Sequence, residues 1–343
     1  MPELLYVGDL GIGSTSRMRC EALRTLGYTV SELQTDIRQP NLLLRYADKF
    51  ARRLRIPIDH ARVNAALLAR SSMPDILWID KGNTVLPSTL RQLRRRSPGL
   101  IVIGYSPDDM MQWHCSSYYF LRGLRYYDAF ITTKSFGVAE LRRQGCPRVI
   151  FSENAYDPAT HRPALLSGGR SIEQTVGVGF IGHHERLRCR SIARLCDAGI
   201  PVTVTGPGWH RHRRFLPATA TVLPPAYGHD YAARISATLV NLGFLRKMNR
   251  DVQTQRTVEV PACRGFLLAE RTEEQQHLFA EGVEADYFSD DDELIQKARF
   301  YLANPGQARR IGEASLQRCR SGRYSYTERL ADALMEFGLL QPR

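Results

Sequence analysis

The sequence predicts an α/β protein built as two doubly wound parallel units, and three observations carry that prediction. Short apolar runs of strand length alternate with segments of helical periodicity along the chain. The alternation lapses in a Pro/Gly/Ser-rich stretch over residues 154–170 and then restarts. The length, 343 residues, is about twice that of an ordinary domain. A peptide hormone or a lone recognition module is excluded. With 43% hydrophobic and 24% charged residues, the chain can pack a core, and wholesale disorder is not expected.

In the first half, strands are expected at Leu4–Val7, Thr29–Leu33, Ile76–Ile79, Leu100–Tyr105, Ala129–Thr132 and Val149–Phe151. Helices fill Thr15–Leu26, Leu42–Arg55, Pro87–Arg96 and Ser135–Gln144, the last stopped by Gly145. The second half opens with strand Val176–Ile181, helix Arg188–Ala198, strand Val202–Thr205 and a sharp Gly206-Pro207-Gly208 turn. A helix at Tyr231–Val240, a helix opening near Thr257 and strands at Phe266–Ala269 and Ala285–Phe288 follow. Ser289 is read as the N-cap of a helix through Leu302, and Pro305 opens another to Arg320. The expected organisation is thus a Rossmann-like domain at 1–155, a linker at 156–172, a second Rossmann-like domain at 173–325, and a helix over 326–343 packing back on the first. The two domains are expected to face each other across a cleft.

The formal charge of +12 and a pI near 9.6 point to an anionic partner. Lysine occurs only at 49, 81, 134, 247 and 297, so the excess is arginine, which general codon usage explains as readily as phosphate binding does. The seven cysteines are scattered and never form C-x-x-C, which fits a reducing cytoplasm. No leader pattern precedes the first strand, and no apolar run reaches the ~18 residues of a membrane span. A cytoplasmic protein is expected.

After the first strand comes Gly8-Asp9-Leu10-Gly11-Ile12-Gly13-Ser14-Thr15-Ser16, where Gly11, Gly13 and Ser14 admit close approach of a ligand to the backbone. A dinucleotide fingerprint would need glycine in place of Ser16, although Asp36 stands near where a ribose-binding acid would. An NAD(P)-dependent oxidoreductase therefore stays as an alternative, as does a plain tight turn. In the second half, Gly177–Gly182 runs from strand into glycine and then into Arg186 and Arg188 at a helix start, the arrangement a diphosphate needs. The other reading is a solvated arginine face, since Arg186, Arg188, Arg190 and Arg194 cannot all point inward. His183-His184 and His210-x-His212 lack cysteine or acid at ligand spacing and read as surface residues.

The most informative stretch is Asn249–Glu270. Asp251 and Glu259 lie eight positions apart around a polar turn and a helix start, so both can reach one cleft. Among apolar neighbours the Glu259 carboxylate is costly unless it accepts hydroxyls, as a ribose would supply, or pairs with Arg256 one turn back.

Val178–Gly182 with Arg188, Gly206-Pro207-Gly208-Trp209, Tyr231, and Arg256-Thr257-x-Glu259-x-Pro261-Ala262-Cys263-x-Gly265-Phe266 resemble the CgeB-like (spore maturation protein type) group-one glycosyltransferases of the GT-B fold. The likeness continues through Glu281-Gly282, Tyr301-Leu302 and Tyr324-Ser325-Tyr326 and is dense over residues 176–330. The first half shares only Tyr127-Asp128, Lys134 and Ala155–Pro158. The resemblance implies a nucleotide-sugar donor held in the second domain, with Glu259 on the ribose, Asp251 near the sugar and Arg188 on the diphosphate. It places Gly182, Arg186, Tyr231 and Arg256 around the donor, Gly206 and Trp209 by the base, and the backbone of Cys263, Arg264 and Gly265 by the phosphates. Aspartate at 251 and arginine at 264 depart from the family pattern.

The resemblance further implies a metal-independent, retaining transfer to a glycan, lipid-linked or other hydroxyl acceptor, with charge stabilisation by arginine and helix-end N–H groups. No cofactor beyond the nucleotide sugar is expected, and Asp290-Asp291-Asp292 reads as helix capping rather than metal ligation. If a first-domain group assists, Asp108, Asp109 and His114 are candidates, beyond the carboxyl end of a strand. Leu42–Arg55 sets Leu43, Tyr46, Phe50 and Leu54 against Arg45, Lys49, Arg52, Arg53 and Arg55, as a helix lying on anionic lipid does; core packing of one face is the other reading. Trp113–Tyr127 is a second aromatic-basic stretch, open to the same two readings. A nucleic-acid-binding protein is the remaining alternative, but no helix-turn-helix, zinc-finger or RNP pattern accompanies the charge, so nucleic acid is not expected as a partner.

Overall fold

The computed structural model describes residues 2–37, 41–165 and 172–341. The elements run β1 (Glu3–Gly8), α1 (Thr15–Thr25), β2 (Thr29–Gln34), α2 (Leu42–Arg53), α3 (Val63–Ala69), β3 (Ile76–Asp80), α4 (Pro87–Arg96), β4 (Ile101–Ser106), α5 (Tyr118–Gly123), β5 (Ala129–Thr132), α6 (Gly137–Arg143) and β6 (Val149–Phe151). They continue with β7 (Val176–Ile181), α7 (Arg186–Asp197), β8 (Val202–Thr205), β9 (Thr221–Leu223), α8 (Gly228–Ser236), β10 (Thr238–Gly243), α9 (Arg256–Ala262), β11 (Leu267–Glu270), α10 (Glu273–Leu278), β12 (Asp286–Phe288), α11 (Asp291–Ala303), α12 (Pro305–Ser321) and α13 (Tyr326–Glu336). The chain divides into two units: one of Met1–Glu153, Lys247–Asp251 and Tyr326–Arg343, the other of Asn154–Arg246 and Val252–Ser325.

The first unit holds a parallel six-stranded sheet in the order β2-β1-β3-β4-β5-β6. Its inner strands read as unbroken apolar runs because helices cover both faces; every residue of β3 is buried. Trp78 on β3 stacks on Tyr6 and on Tyr105, each 6.2 Å away on a neighbouring strand. Over that ladder lies Arg19 of α1, 1% exposed, ion-paired to Asp80 at 2.8 Å and 4.2 Å above the Tyr105 ring. The same guanidinium sits 5.5 Å from the Tyr326 ring, which seats α13 against α1.

The second unit holds another parallel sheet, ordered β12-β11-β10-β7-β8-β9. One layer of its core joins Phe180, Ile192, Trp209, Val240, Phe244 and Tyr301; the opposite layer joins Ile235, Val258, Cys263 and Tyr287. Of the linker expected at 156–172, residues 166–171 lie outside the described residues.

Several expectations need correction. The helix read across Tyr231–Val240 stops at Ser236, and Thr238–Gly243 is instead the central strand β10, buried throughout. A strand buried on both faces loses its alternation, so its apolar run blends into a preceding helical pattern. The N-cap of α11 is Asp290 and not Ser289: its Oδ1 accepts from the N–H groups of Asp292 and Glu293 at 2.9 Å, while Glu293 reaches back to the Ser289 N–H at 2.7 Å. Helices α3, α5 and α10 and strand β9 have no counterpart in the sequence reading. Within Trp113–Tyr127, Phe120 and Tyr127 are core residues. For α2 the packing alternative fails, because none of its residues is buried.

Candidate functional site

In open α/β sheets, ligands bind in the crevice outside the carboxyl ends of the strands, where the strand order reverses. In the second unit that point lies between β7 and β10. Strand β7 runs into Gly182 and His183, and β10 runs into Phe244, Leu245 and Arg246. The turn after β8 presses against the first of these: a Cβ on Gly206, whose φ is +141°, would clash with the Gly182 carbonyl. A Cβ on Gly182 would itself lie 3.1 Å from Arg256 Nη1. Glycine at both positions leaves the floor of the crevice as bare backbone.

Three arginines surround this floor. Arg188, on the first turn of α7, is 4% exposed; its Nη1 donates to the His183 carbonyl at 3.2 Å and lies 3.4 Å from Glu185. Arg246 pairs with the same Glu185 oxygen at 3.0 Å. Arg256 donates to the Phe244 carbonyl at 3.3 Å, and Arg188 and Arg256 both lie over the Phe180 ring, at 5.5 and 5.3 Å. They act on His183, whose pKa is lowered first by burial and then by Arg246, Arg188 and Arg256. Arg186, Arg190 and Arg194 face outward, and Arg194 pairs with Asp291 and Asp292.

Behind Arg256, one helical turn further into α9, stands Glu259, 6% exposed. The Tyr231 phenol donates to its Oε2 at 2.6 Å, and His161 Nε2 lies 3.7 Å from Oε1. The Asp157 N–H donates to His161 Nδ1 at 3.0 Å, so the ring proton resides on Nε2, toward the carboxylate. Burial and the Glu259 charge push the Tyr231 phenol well above its ordinary pKa, keeping it a donor. The structure thus pairs Glu259 with Tyr231 and His161, where an ion pair with Arg256 was the alternative. His161 and Arg246 escaped the sequence reading; the four-residue spacing from Asp157 was the available signal for the first, and nothing marked the second.

Other donor-site expectations change. Trp209 is fully buried, with its indole N–H on the Gly182 carbonyl at 2.8 Å and its ring against Phe180 and His184, so it braces the glycine turn and offers no face to a base. The N–H groups of Cys263, Arg264 and Gly265 are taken by carbonyls of Glu259, Val260 and Pro261, forming a helix C-cap and not a phosphate cradle. Cys263 is buried, with its thiol pKa well raised by that burial and by Glu259. Arg264, in the left-handed region at φ +65°, points to Glu313 at 2.5 Å.

In the first unit, Asp251 accepts from Lys134 Nζ at 2.6 Å and Asn249 Nδ2 at 2.7 Å, with the Lys134 and Asp251 side chains only 3 and 7% exposed. Asp251 and Glu259 therefore belong to different units, each with its own partners. Asp109 is clamped by Arg250 through two bonds of 2.5 and 3.0 Å, and Arg250 continues to Glu140 at 2.7 Å. Asp108 pairs with Lys81 at 2.7 Å, and His114 lies edge-on to Trp113. The glycine loop is an Asx turn in which Asp9 Oδ1 accepts the Gly11 N–H at 2.9 Å; Gly13 has φ +77°, and Ser14 caps α1 through the Arg17 N–H. Ser14 borders a cavity of about 400 Å³ that also meets Asp9, Arg19, Asp36, Asp80 and Lys81. Among the described residues, no group of three or more His, Cys, Asp and Glu is placed to hold a metal ion, and no helix is long and apolar enough to cross a membrane.

Residues 185–335 match the family model described as glycosyl transferase-like. No curated protein matches the sequence significantly. Among solved structures, the chain is similar to sucrose-phosphate synthase from Thermosynechococcus elongatus, at 15% identity and TM-score 0.66, covering 99% of both chains. It is also similar to Anabaena HepE in complex with UDP-glucose, at 12% identity and TM-score 0.64, covering 99% of this chain and 100% of that one. An α-glucosyltransferase in complex with UDP and DNA matches at 13% identity and TM-score 0.68, covering 98% and 99%. These likenesses establish the fold: two parallel six-stranded sheets with flanking helices, the GT-B fold class.

Proposed function

We propose that this protein is a glycosyltransferase that moves a sugar from a nucleoside-diphosphate donor, held in the second unit, to a glycan, lipid-linked or other hydroxyl acceptor. The observation that carries this reading is the buried Glu259–Tyr231–His161 cluster set one helical turn behind the arginine-ringed crevice. A carboxylate fixed in this way is suited to a ribose diol, and Arg188, Arg246 and Arg256 are suited to a diphosphate. The family match over residues 185–335 spans Glu185, Arg188, Tyr231, Arg246, Arg256 and Glu259, and the UDP-glucose in HepE supports a uridine nucleotide. The CgeB-like branch, cytoplasmic location and a role in polysaccharide synthesis belong to the same reading.

In this mechanism the bond from the anomeric carbon to the diphosphate lengthens, and negative charge grows on the leaving oxygen. Arg188 and Arg256, already fixed beside the backbone of Gly182, meet that charge without reorganising. A metal ion is not required for this role, and the Asp290–Asp292 carboxylates are engaged as a helix cap and in pairing to Arg194. Retention follows from front-face attack, in which the departing phosphate takes the acceptor proton and no separate base is needed. Asp109, held bidentately by Arg250, then acts as a positioning residue, and contact of Asp251 with the sugar rests on the family resemblance alone.

Calorimetric titration with UDP, GDP and UDP-glucose tests the reading. Saturable binding that Glu259→Gln weakens without changing the circular dichroism spectrum is expected. Unchanged affinity in that variant overturns the site, and NMR of the product's anomeric proton decides retention.

A further inference from the structure

A helix on the surface of a globular unit normally turns its apolar stripe inward. Helix α2 does the reverse. Leu43, Tyr46 and Phe50, with Leu54 just beyond, recur at three- and four-residue spacing and form one stripe, and they are 77, 69, 65 and 47% exposed. Its inward side is polar: Arg45, Asp48 and Arg52 line a cavity of about 440 Å³ together with Asp36 and His60, and Arg52 and His60 both meet Asp48, at 2.6 and 3.6 Å. Through Asp48 and His60 this side of the helix meets the unit, and among the described residues the apolar stripe is left exposed. Leu42, Ile56 and Ile58 extend the exposed apolar surface at either end.

We propose that α2 lies in the plane of an anionic membrane surface, inserting Leu43, Tyr46, Phe50 and Leu54 among the lipid chains. Charge complementarity selects this occupant. Arg45, Lys49, Arg52 and Arg53 on the helix face a single acid, Asp48, and Arg55 follows at the end. Lys49 and Arg53 are exposed beside the stripe, where they can reach lipid headgroups. Tyr118, 48% exposed, continues the surface: its N–H donates to the Arg55 carbonyl at 2.8 Å, and its ring lies 5.3 Å from the Arg55 guanidinium. An apolar stripe bordered by basic side chains and an interfacial aromatic ring is the pattern of a monotopic anchor. An acceptor carried by that membrane would meet the polar side of the same helix. The inference is independent of the donor site, since no α2 residue belongs to it.

Flotation of the full-length protein with phosphatidylcholine vesicles, with and without phosphatidylglycerol, tests the proposal. Binding is expected only to the anionic vesicles, and it should fall as salt is raised. Leu43→Glu with Phe50→Glu should abolish it, and Lys49→Gln or Arg53→Gln should each weaken it about five-fold, the factor for about 1 kcal/mol per basic residue at such a surface. These side chains are exposed, so thermal melts and UDP titrations should be unchanged in every variant, which separates this test from that of the donor site. Failure to float at low salt overturns the proposal. So does equal binding to neutral vesicles, or concentration-dependent self-association that the double variant removes while vesicles remain unbound.

Discussion

Tyr231→Phe is the most discriminating change at the donor site, because it deletes one oxygen and keeps the ring that packs 5.5 Å from His161. The lost bond is short, 2.6 Å, part-buried, and made to a carboxylate that is itself 6% exposed. Hydrogen bonds to charged groups contribute about 1.5–3 kcal/mol, and the remaining neighbour, His161, stands at 3.7 Å, too far to replace the phenol. A destabilisation of about 2 kcal/mol follows, which lowers the melting temperature of a unit of this size by roughly 4–8 °C. Glu259→Gln has the opposite profile. The phenol still finds the amide oxygen, so stability changes little, but UDP meets a neutral acceptor and should bind about 2–3 kcal/mol more weakly, or roughly 30- to 150-fold. Calorimetric melts and UDP titrations on both variants and on the double variant give the coupling between the two positions. An unchanged melting temperature in Tyr231→Phe would refute the pairing, and an unchanged UDP affinity in Glu259→Gln would refute the ribose assignment.

Three further outcomes follow from the same geometry. His183 is held below its usual pKa by burial and by Arg246, Arg188 and Arg256, so the unfolded chain takes up the proton first. The contribution of His183 to stability is intact above its unfolded pKa and declines as pH falls toward the lower folded value. Bound diphosphate should move its imidazole NMR titration upward, and an unmoved midpoint would place the anion elsewhere. Gly206→Ala forces a Cβ against the Gly182 carbonyl at φ +141°, and a loss of about 2–3 kcal/mol together with weakened UDP binding is expected by chemical melts and titration; wild-type behaviour would contradict the close approach of the two turns. Lys134→Met removes the ion-pair partner of the Asp251 carboxylate, whose side chain is 7% exposed, and should cost about 3–5 kcal/mol, most of it recovered by adding Asp251→Asn; no recovery would mean that Lys134 acts through another partner.

The strands Ala129–Thr132 and Val149–Phe151 are legible residue for residue, because each is a short apolar run bounded by charge or turn residues. β10 is not, since Leu239, Val240 and Leu242 follow an amphipathic helix directly and both faces of the strand are covered. Arg188 can be picked out because a strand, a glycine and a helix start are contiguous in sequence. His161 sits in a proline-flanked loop with no periodicity, and its relation to Glu259 exists only once residues 98 positions apart are folded together. Gly265 misleads for a physical reason: glycine near a helix end marks a C-cap as readily as a phosphate turn, and only the direction of the N–H groups tells them apart.

Arginine abundance carries the same ambiguity, and burial resolves it. An arginine on a solvated face costs nothing to place, so the presence of Arg186 and Arg190 is not by itself a signal of function. Arg188 is different: at 4% exposure its guanidinium has lost most of its water, and Glu185 must also serve Arg246. Arg188 and Arg246 converge on that one carboxylate oxygen, and Arg256 lies over the same Phe180 ring as Arg188, so three guanidiniums are gathered at one place where an anion can meet them. Arg19, more deeply buried still, has a carboxylate and two aromatic rings of its own, with no second guanidinium on that carboxylate oxygen among the described pairs. The useful quantity is therefore neither the number of arginines nor their depth, but how many converge on one place, and in the second unit Arg188, Arg246 and Arg256 converge at the carboxyl ends of β7 and β10.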